Sequence, residues 1–192
     1  MNPNPLRGRR QCGASLLEIL VTMVVLAFGL LGLAAFQAKA HVGSIESYQR
    51  AQAAVLLQDM QSRMSGNSSE AASYVTATPL GTGDELDACA GLAGSARDLC
   101  EWSAALQGAS EQRDGGGNAG AMEGARGCIS RVREMNDSLG VCTPAVYQIT
   151  VAWQGLHPTR APAQACGRGL YGEDTHRRAI SVRVAIGLPR CI

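Results

Sequence analysis

An unbroken apolar run near the N-terminus restricts this chain more than any other feature of its sequence. It covers Leu16–Phe36, and Glu18 is the only charged residue among these 21 positions. As an α-helix the run would be about 31 Å long, which matches the roughly 30 Å hydrocarbon core of a bilayer. Three arginines precede the run within residues 1–13, where no acidic residue occurs. We therefore expect a single inner-membrane crossing with the N-terminus in the cytoplasm.

Three kinds of N-terminal segment fit this pattern: a secretory signal peptide, a generic membrane anchor, and a prepilin leader that is cut before the apolar run. Ala38-Lys39-Ala40 has the A-x-A form of a signal-peptidase site. However, helical periodicity continues to Met64, so a cut there would divide one long helix predicted over about 14–64. A carboxylate inside a span costs roughly 2.5–3.5 kcal/mol at the centre and less near an end, and neither of the first two segments explains why Glu18 would carry that cost. The pattern therefore favours a prepilin leader.

The residues around Glu18 resemble the N-terminus of type IV pilin-like proteins. Cys12-Gly13 ends a short basic leader, and Ala14-Ser15-Leu16-Leu17 follows, so a cut after Gly13 makes Glu18 the fifth mature residue. Ala14 stands where Phe or Met is commoner in the family. Ser15–Val21, together with Gly29–Ala34, is most similar to minor pilins of the PilV type.

This resemblance implies a set of roles for the N-terminal residues. A prepilin peptidase would cut the Gly13–Ala14 bond and methylate the new amine of Ala14. Glu18 would then face the N-terminal amine of a neighbouring subunit and help set the register of assembly. The chain would be a minor pilin, not an enzyme. It would have other major and minor pilins as partners and a part in pilus assembly and twitching motility.

Two alternative functions remain open at the level of sequence. A minor pseudopilin of a type II secretion system would carry the same leader and helix. A membrane-anchored periplasmic binding domain would have the span but would not polymerise. In the pilin interpretation residues 1–13 are the cleaved leader, 14–64 the long helix with its span at about 16–36, and 65–192 a periplasmic head.

The remainder of the chain predicts an α+β head with a small antiparallel sheet. Apolar and polar residues alternate in 145–154 and in 179–186, which is typical of strands that are buried on one face. Residues 128–135 are a possible third strand. We expect the dry face of the sheet to pack on Leu56, Leu57 and Met60 of the long helix, and the other face to be exposed to water.

A second helix is predicted from Ser95 to Leu106. Ser95 would be its N-cap, with Asp98 completing an imperfect capping box. Its buried stripe would contain Ala96, Leu99, Trp102 and Leu106, with Trp102 as a core residue. Residues 65–83 are rich in Ser, Gly and Thr and predict a loop. Residues 107–127 predict a flexible connection.

The chain has seven cysteines, and Cys12 would be lost when the leader is cleaved. The six that remain are Cys89, Cys100, Cys128, Cys142, Cys166 and Cys191. No C-x-x-C pair is present, so the spacing favours disulfides over a metal site, in keeping with an oxidising compartment. Six cysteines allow 15 pairings. The simplest is sequential: Cys89–Cys100, Cys128–Cys142 and Cys166–Cys191.

Composition and motifs argue against several other classes of protein. The net charge of +1 does not suggest a nucleic-acid-binding protein, and no nucleotide, hydrolase or metalloprotease motif occurs. No catalytic residue, metal site or cofactor is expected. Glu173, Asp174 and His176 are interpreted as a solvated loop. Arg177 and Arg178 are only a weak indication of a DNA or partner contact and are interpreted as polar residues at the start of a strand.

Overall fold

The structure is a computed structural model that describes residues 15–84, 89–111, 114–115, 118, 122–138 and 141–187. Its elements in chain order are α1 (Leu16–Gly66), a 3₁₀ helix (Ser68–Tyr74), β1 (Leu80–Gly81), α2 (Gly94–Leu106), β2 (Arg126–Arg133), β3 (Ala145–Gln154), a short 3₁₀ helix (Asp174–His176) and β4 (Arg177–Ile186). The chain forms two compact units that divide between Ser44 and Ile45. The predicted α+β class, with a long N-terminal helix and a small antiparallel sheet, is confirmed.

The N-terminal unit contains the apolar part of α1. Every residue from Ser15 to His41 is exposed, and Leu16 and Phe28 expose 85% and 71% of their surfaces. The side chains are apolar on all sides of the helix, which is the pattern of a helix that is surrounded by lipid or by other helices. By length and composition α1 is a candidate membrane span.

The C-terminal part of α1 is amphipathic. Its buried apolar residues are Ala53, Leu56, Leu57, Met60 and Met64. Their spacing of three or four residues places them on one face. They share one core with the inner face of the sheet, so the predicted packing of this helix face on the sheet is confirmed.

The sheet has four antiparallel strands in the order β1-β2-β3-β4. β3 and β4 pair continuously from Ala145↔Ile186 to Gln154↔Arg177. These strands confirm the predictions at 145–154 and 179–186, although β4 begins two residues earlier. β2 confirms the third predicted strand. The segment expected to be a loop, residues 65–83, instead contains the first 3₁₀ helix and β1.

Trp102 joins α2 to α1 in the core. Its ring is fully buried, and its Nε1–H donates a hydrogen bond of 3.0 Å to the carbonyl oxygen of Leu56. β2 passes close to this ring, because a Cβ on Gly127 would overlap it. Trp102 is therefore the core residue that the sequence predicts.

The start of α2 differs from the prediction. Its N-cap residue is Ala93, which makes no side-chain capping bond, whereas Ser95 is buried inside the first turn and Ala96 is exposed. Ser95 N–H donates instead to a carboxylate oxygen of Glu70 at 3.5 Å. The predicted cap is therefore wrong, because an anion from another element takes the place next to the helix N-terminus.

A disulfide covers one end of the outer sheet face. Cys128 of β2 is bonded to Cys166 in the loop between β3 and β4, and Cys166 and Tyr171 pack over Ala152. The Tyr171 hydroxyl donates a hydrogen bond of 2.8 Å to the carbonyl oxygen of Gly124. Ala152 is consequently fully buried, so the expectation of a wet outer face is wrong at this end of the sheet.

The sequential disulfide scheme is correct only in its first pair. Cys89–Cys100 is present, but the Cys128–Cys166 bond rules out Cys128–Cys142 and Cys166–Cys191. Cys128 lies near the start of β2, whereas Cys142 follows its other end, five or more residues of about 3.3 Å away. Cys142 is disulfide-bonded, and Cys191 lies outside the described residues.

Candidate functional site

The start of α1 carries the residues that the sequence singles out for processing and assembly. Ser15 precedes the helix, and its carbonyl oxygen accepts hydrogen bonds from the N–H groups of Glu18 at 3.0 Å and Ile19 at 3.2 Å. Its hydroxyl oxygen accepts from Leu17 N–H at 3.4 Å. Glu18 therefore lies in the first helical turn, where the helix dipole favours an anion. Gly13 and Ala14 lie outside the described residues.

The Glu18 carboxylate is surrounded by exposed apolar side chains. Leu17, Leu20 and Val21 expose 73%, 65% and 53% of their surfaces. No hydrogen bond or ion pair reaches the carboxylate from the described residues. An unpaired anion in an apolar setting is costly unless a cation or hydrogen-bond donor from another molecule compensates it. The described residues therefore do not supply the partner that the Glu18 carboxylate needs.

Gly29 and Gly32 lie farther along the same exposed stretch. A Cβ at either position would meet no atom within 4 Å, so no close contact within the described chain requires a glycine there. Glycine weakens a helix by about 1 kcal/mol relative to alanine. Small residues are nevertheless frequent where membrane helices approach one another closely. The two glycines are thus consistent with a helix that packs against other helices.

An ion cluster in the head joins the end of α1 to α2. Arg63 lies 3.0 Å from Asp59, 3.0 Å from Asp98 and 2.7 Å from Glu101, and the Tyr74 hydroxyl also hydrogen-bonds to Asp98. Burial opposes the charge of Arg63, but its hydrogen bonds to these carboxylates outweigh burial and raise its pKa. The hydrogen bond from Arg63 lowers the pKa of Glu101. Burial, aided by the bond to Asp98, raises the pKa of Tyr74 to about 12.

Arg177 holds the loop between β3 and β4 against the sheet. Its side chain is fully buried and makes a two-pronged contact with Asp174, at 2.6 and 2.8 Å. It also donates to the carbonyl oxygens of Gln164, Cys166 and Pro162, at 2.5, 3.1 and 3.1 Å. The hydrogen bond from Arg177 lowers the pKa of Asp174. The Asp174 side chain is still 35% exposed and Glu173 is exposed, which agrees with the interpretation of this segment as a solvated loop, although Asp174 is also bonded to Arg177.

Arg178 is also held by the protein. It donates to the carbonyl oxygen of His157 at 2.6 Å and to Glu46 at 3.1 Å. It lines an open polar pocket of about 300 Å³ together with Arg177, Arg50, Arg160 and other residues. Because both members of the dibasic pair are already bonded, they do not form the free cationic surface that DNA binding requires. Among the described residues, no group of His, Cys, Asp and Glu could hold a metal ion.

Sequence reasoning missed both arginine sites in the head. Arg63 follows Asp59 by four residues, which signals an ion pair on one helix face. Nothing along the chain connects Arg63 with Asp98 or Glu101, since α1 and α2 come together only in the fold. The signal at Arg177 was its position three residues after Asp174. Both arginine sites join parts of the head to each other and so have a structural role. The N-terminal segment is therefore the candidate for function.

Comparison with known proteins agrees with this assignment. No significant similarity to a curated protein or to a solved structure was found. Residues 8–34 match the family model described as the prokaryotic N-terminal methylation motif. That stretch includes the second part of the basic leader, the predicted cleavage position, Glu18 and both glycines. The chain therefore carries a type IV pilin-like prepilin signal at its N-terminus.

Proposed function

We propose that this protein is a minor pilin that takes part in type IV pilus assembly through its N-terminal helix. The observation that carries the proposal is the exposure of the side chains in the first part of α1. Its apolar side chains are exposed on all sides, and they flank Glu18, which lies inside a methylation motif and has no partner among the described residues. A helix of this kind needs lipid before assembly and neighbouring helices afterwards. The mechanism is therefore exchange of lipid contacts for protein contacts, without chemistry by the subunit.

Glu18 supplies the electrostatic part of the mechanism. Prepilin peptidase cuts after Gly13, and the methylated amine of Ala14 keeps its positive charge. In the assembled fibre this amine of one subunit lies against Glu18 of another. Each charge alone is costly in a low-dielectric setting, whereas the pair is much less costly. Pairing occurs in one axial register only, so it aligns each incoming subunit.

The same proposal assigns the parts of the chain to compartments. Residues 1–13 are a cytoplasmic leader, α1 crosses the inner membrane near residues 16–36, and residues 65–192 form a periplasmic head. The disulfides Cys89–Cys100 and Cys128–Cys166 support this orientation, because disulfides persist in the periplasm and are rare in the cytoplasm. The resemblance of Ser15–Val21 to minor pilins of the PilV type supports a place in a priming or tip complex.

The experiment that tests the proposal removes the charge of Glu18 and leaves its shape. Glu18→Gln should insert into the inner membrane normally but appear in sheared pili at a level reduced about tenfold or more, because an unpaired amine is left in the fibre. Thr22→Val, one turn away in the same apolar stretch, is the matched control and should be incorporated normally. Normal incorporation of Glu18→Gln would refute the assembly mechanism and favour a simple membrane anchor.

A minor pseudopilin of a type II secretion system is the second candidate, because the methylation motif is shared by both kinds of subunit. Deletion of the gene distinguishes them. Loss of twitching motility with normal protein secretion supports the pilus, and the reverse supports secretion. A deletion strain that is normal in both would leave an anchored periplasmic binding domain as the better account.

A further inference from the structure

β4 is a long edge strand of this sheet. It pairs with β3 along all ten residues, and the sheet order places no described strand on its other side. The opposite edge is the two-residue strand β1. Long edges are commonly protected by a proline, a bulge or charged side chains. β4 contains no proline and pairs with β3 without a register shift, and its one exposed charged residue is Arg183.

The hydrogen bonds of Ile129 show which backbone groups of β4 face this edge. Ile129 N–H donates to Thr76 Oγ1 at 3.0 Å, and Ile129 C=O accepts from Thr76 N–H at 3.0 Å, so both point away from β3. Ile129 pairs with Ile149, which pairs with Val182. Along a strand, the N–H and C=O groups of successive residues point alternately to one side and to the other. Two opposed residues of an antiparallel pair either point toward each other or away from each other, in alternation. The N–H and C=O groups that face outward from β4 are therefore those of Ala179, Ser181, Arg183 and Ala185.

No hydrogen bond from the described residues reaches these outward backbone groups, so within that part of the chain they are available for pairing. The Ser181 hydroxyl accepts a bond of 3.3 Å from Gln164, but that contact leaves the backbone of Ser181 free to pair. Next to the outward groups, the side chains of Ile180 and Val182 lie at the border of the core and are only partly buried. An added strand would satisfy the backbone groups and cover these two side chains.

The geometry points to β4 as the acceptor for an extended segment of a different protein subunit, which adds to the sheet as a fifth strand. Main-chain hydrogen bonds would hold the segment, and alternate apolar residues would lie beside Ile180 and Val182. Arg183 is exposed on the outer face, where its guanidinium makes a marginal 3.5 Å contact with Gln148. An acidic residue opposite Arg183 therefore completes the match.

Charge also argues against a second copy of this chain that pairs symmetrically about Arg183. Symmetric antiparallel pairing of two β4 strands about Arg183 would place two guanidinium groups directly opposite each other. Like charges in opposed positions destabilise a strand pair. The surface lies in the head, so the inference goes beyond the proposed assembly through α1 and does not depend on it.

The test uses the full chain in detergent micelles and three heptapeptide probes. Each probe alternates valine with threonine and has Glu, Gln or Lys at its central position. At concentrations up to about 1 mM, the Glu peptide should slow amide exchange at Ser181, Arg183 and Ala185 and bind about tenfold more tightly than the Lys peptide. The Gln peptide should lie between them.

Two variants separate charge recognition from backbone recognition. Arg183→Glu should reverse the order of the Glu and Lys peptides, whereas Arg131→Glu, another exposed arginine of the sheet, should leave the order unchanged. Ala185→Pro removes one outward N–H and should weaken the Glu peptide about tenfold. Ala185→Val keeps that N–H and should bind normally. Because Arg183→Glu leaves the backbone intact, it remains informative even if the proline variant folds poorly.

Three results would overturn the inference. One is the absence of amide protection by any peptide at the highest concentration. Another is equal binding of the Glu and Lys peptides, with no reversal in Arg183→Glu. The last is concentration-dependent dimerisation of the chain that itself protects Ser181, Arg183 and Ala185, which would make a second copy the occupant. Peptide binding does not require the N-terminal motif, so failure here would leave the pilin proposal untouched.

Discussion

The two parts of α1 are both rich in apolar residues, yet they differ in where those residues find a partner. Before Ser44 the large apolar side chains are exposed, as at Leu26, which exposes 61% of its surface. After Ile45 the apolar side chains at Leu57 and Met60 are buried against the head. The second part is stable within one chain, whereas the first needs lipid or other subunits. A large exposed apolar surface usually marks such an interaction.

The head obtains its stability from several sources. Aromatic residues make up only 4% of the chain. The disulfides Cys89–Cys100 and Cys128–Cys166, the Arg63 cluster and the buried Arg177 hold loops and helix ends that the core does not cover. The N-terminal unit has no such cross-links among its described residues. Changes to covalent and buried contacts should therefore act on the head and leave membrane insertion unchanged.

Loss of the Cys128–Cys166 disulfide should produce the largest effect. The bond joins residues 38 positions apart, for which chain-entropy arguments give about 4 kcal/mol. The double variant Cys128→Ser/Cys166→Ser should lower the free energy of unfolding of the head by that amount. Urea unfolding followed by the fluorescence of the buried Trp102 and Trp153 measures it.

The matched control is removal of the other disulfide. Cys89→Ser/Cys100→Ser opens a shorter loop of 11 positions and should cost about 3 kcal/mol. Both double variants should insert into membranes like the wild type. A larger loss in the Cys89/Cys100 variant, or a defect in insertion, would contradict the view that the head is stabilised independently of the span.

Substitution of leucine by alanine in α1 should have an intermediate effect on the stability of the head at Leu57 and almost none at Leu26. Leu57 is 5% exposed and Leu26 is 61% exposed. Leu57→Ala should reduce the free energy of unfolding of the head by about 3 kcal/mol, since it leaves a cavity in the core. Leu26→Ala should change it by less than about 0.5 kcal/mol. Equal losses in urea unfolding would show that the two parts of the helix do not differ in the way described.

The smallest effect should come from titration of Glu101. The hydrogen bond from Arg63 lowers its pKa below the ordinary value of 4.5. A lowered pKa in the folded state stabilises the head above pH 4.5, and this contribution is lost as pH falls through the folded-state pKa. The wild-type head should therefore be slightly more stable than Glu101→Gln at neutral pH. The difference in stability should shrink as the pH falls below 4.5. Unfolding curves at several pH values measure the difference, and a constant gap would contradict the ion-pair account.

Regular periodicity made most of the fold predictable. The 3.6-residue pattern identified α1 and its buried face, and the two-residue alternation identified β3 and β4 with errors of two residues or fewer. β1 was missed because two residues cannot show a period. The Ser95 cap was wrong because Glu70, distant in sequence, occupies the helix start.

Contacts between distant residues were the part that sequence could not provide. Cys128 pairs with Cys166 because the sheet and its covering loop bring them together, and no spacing rule contains that information. Arg177 and Arg178 were interpreted as polar residues at the start of a strand, and β4 does begin at Arg177, but sequence could not show that the loop folds over them and supplies carbonyl partners. By contrast, the motif around Glu18 is local in sequence, so it could be identified before the fold was known.

The central claim is that α1 begins as the mature N-terminus of a pilin-like subunit. Mass spectrometry of the N-terminal peptide, from protein purified out of native membranes, tests it most directly. The account predicts a chain that starts at Ala14 and carries one methyl group on its amine, with Glu18 as the fifth residue. A chain that starts at Met1, or at His41 after the Ala38-Lys39-Ala40 sequence, would contradict it.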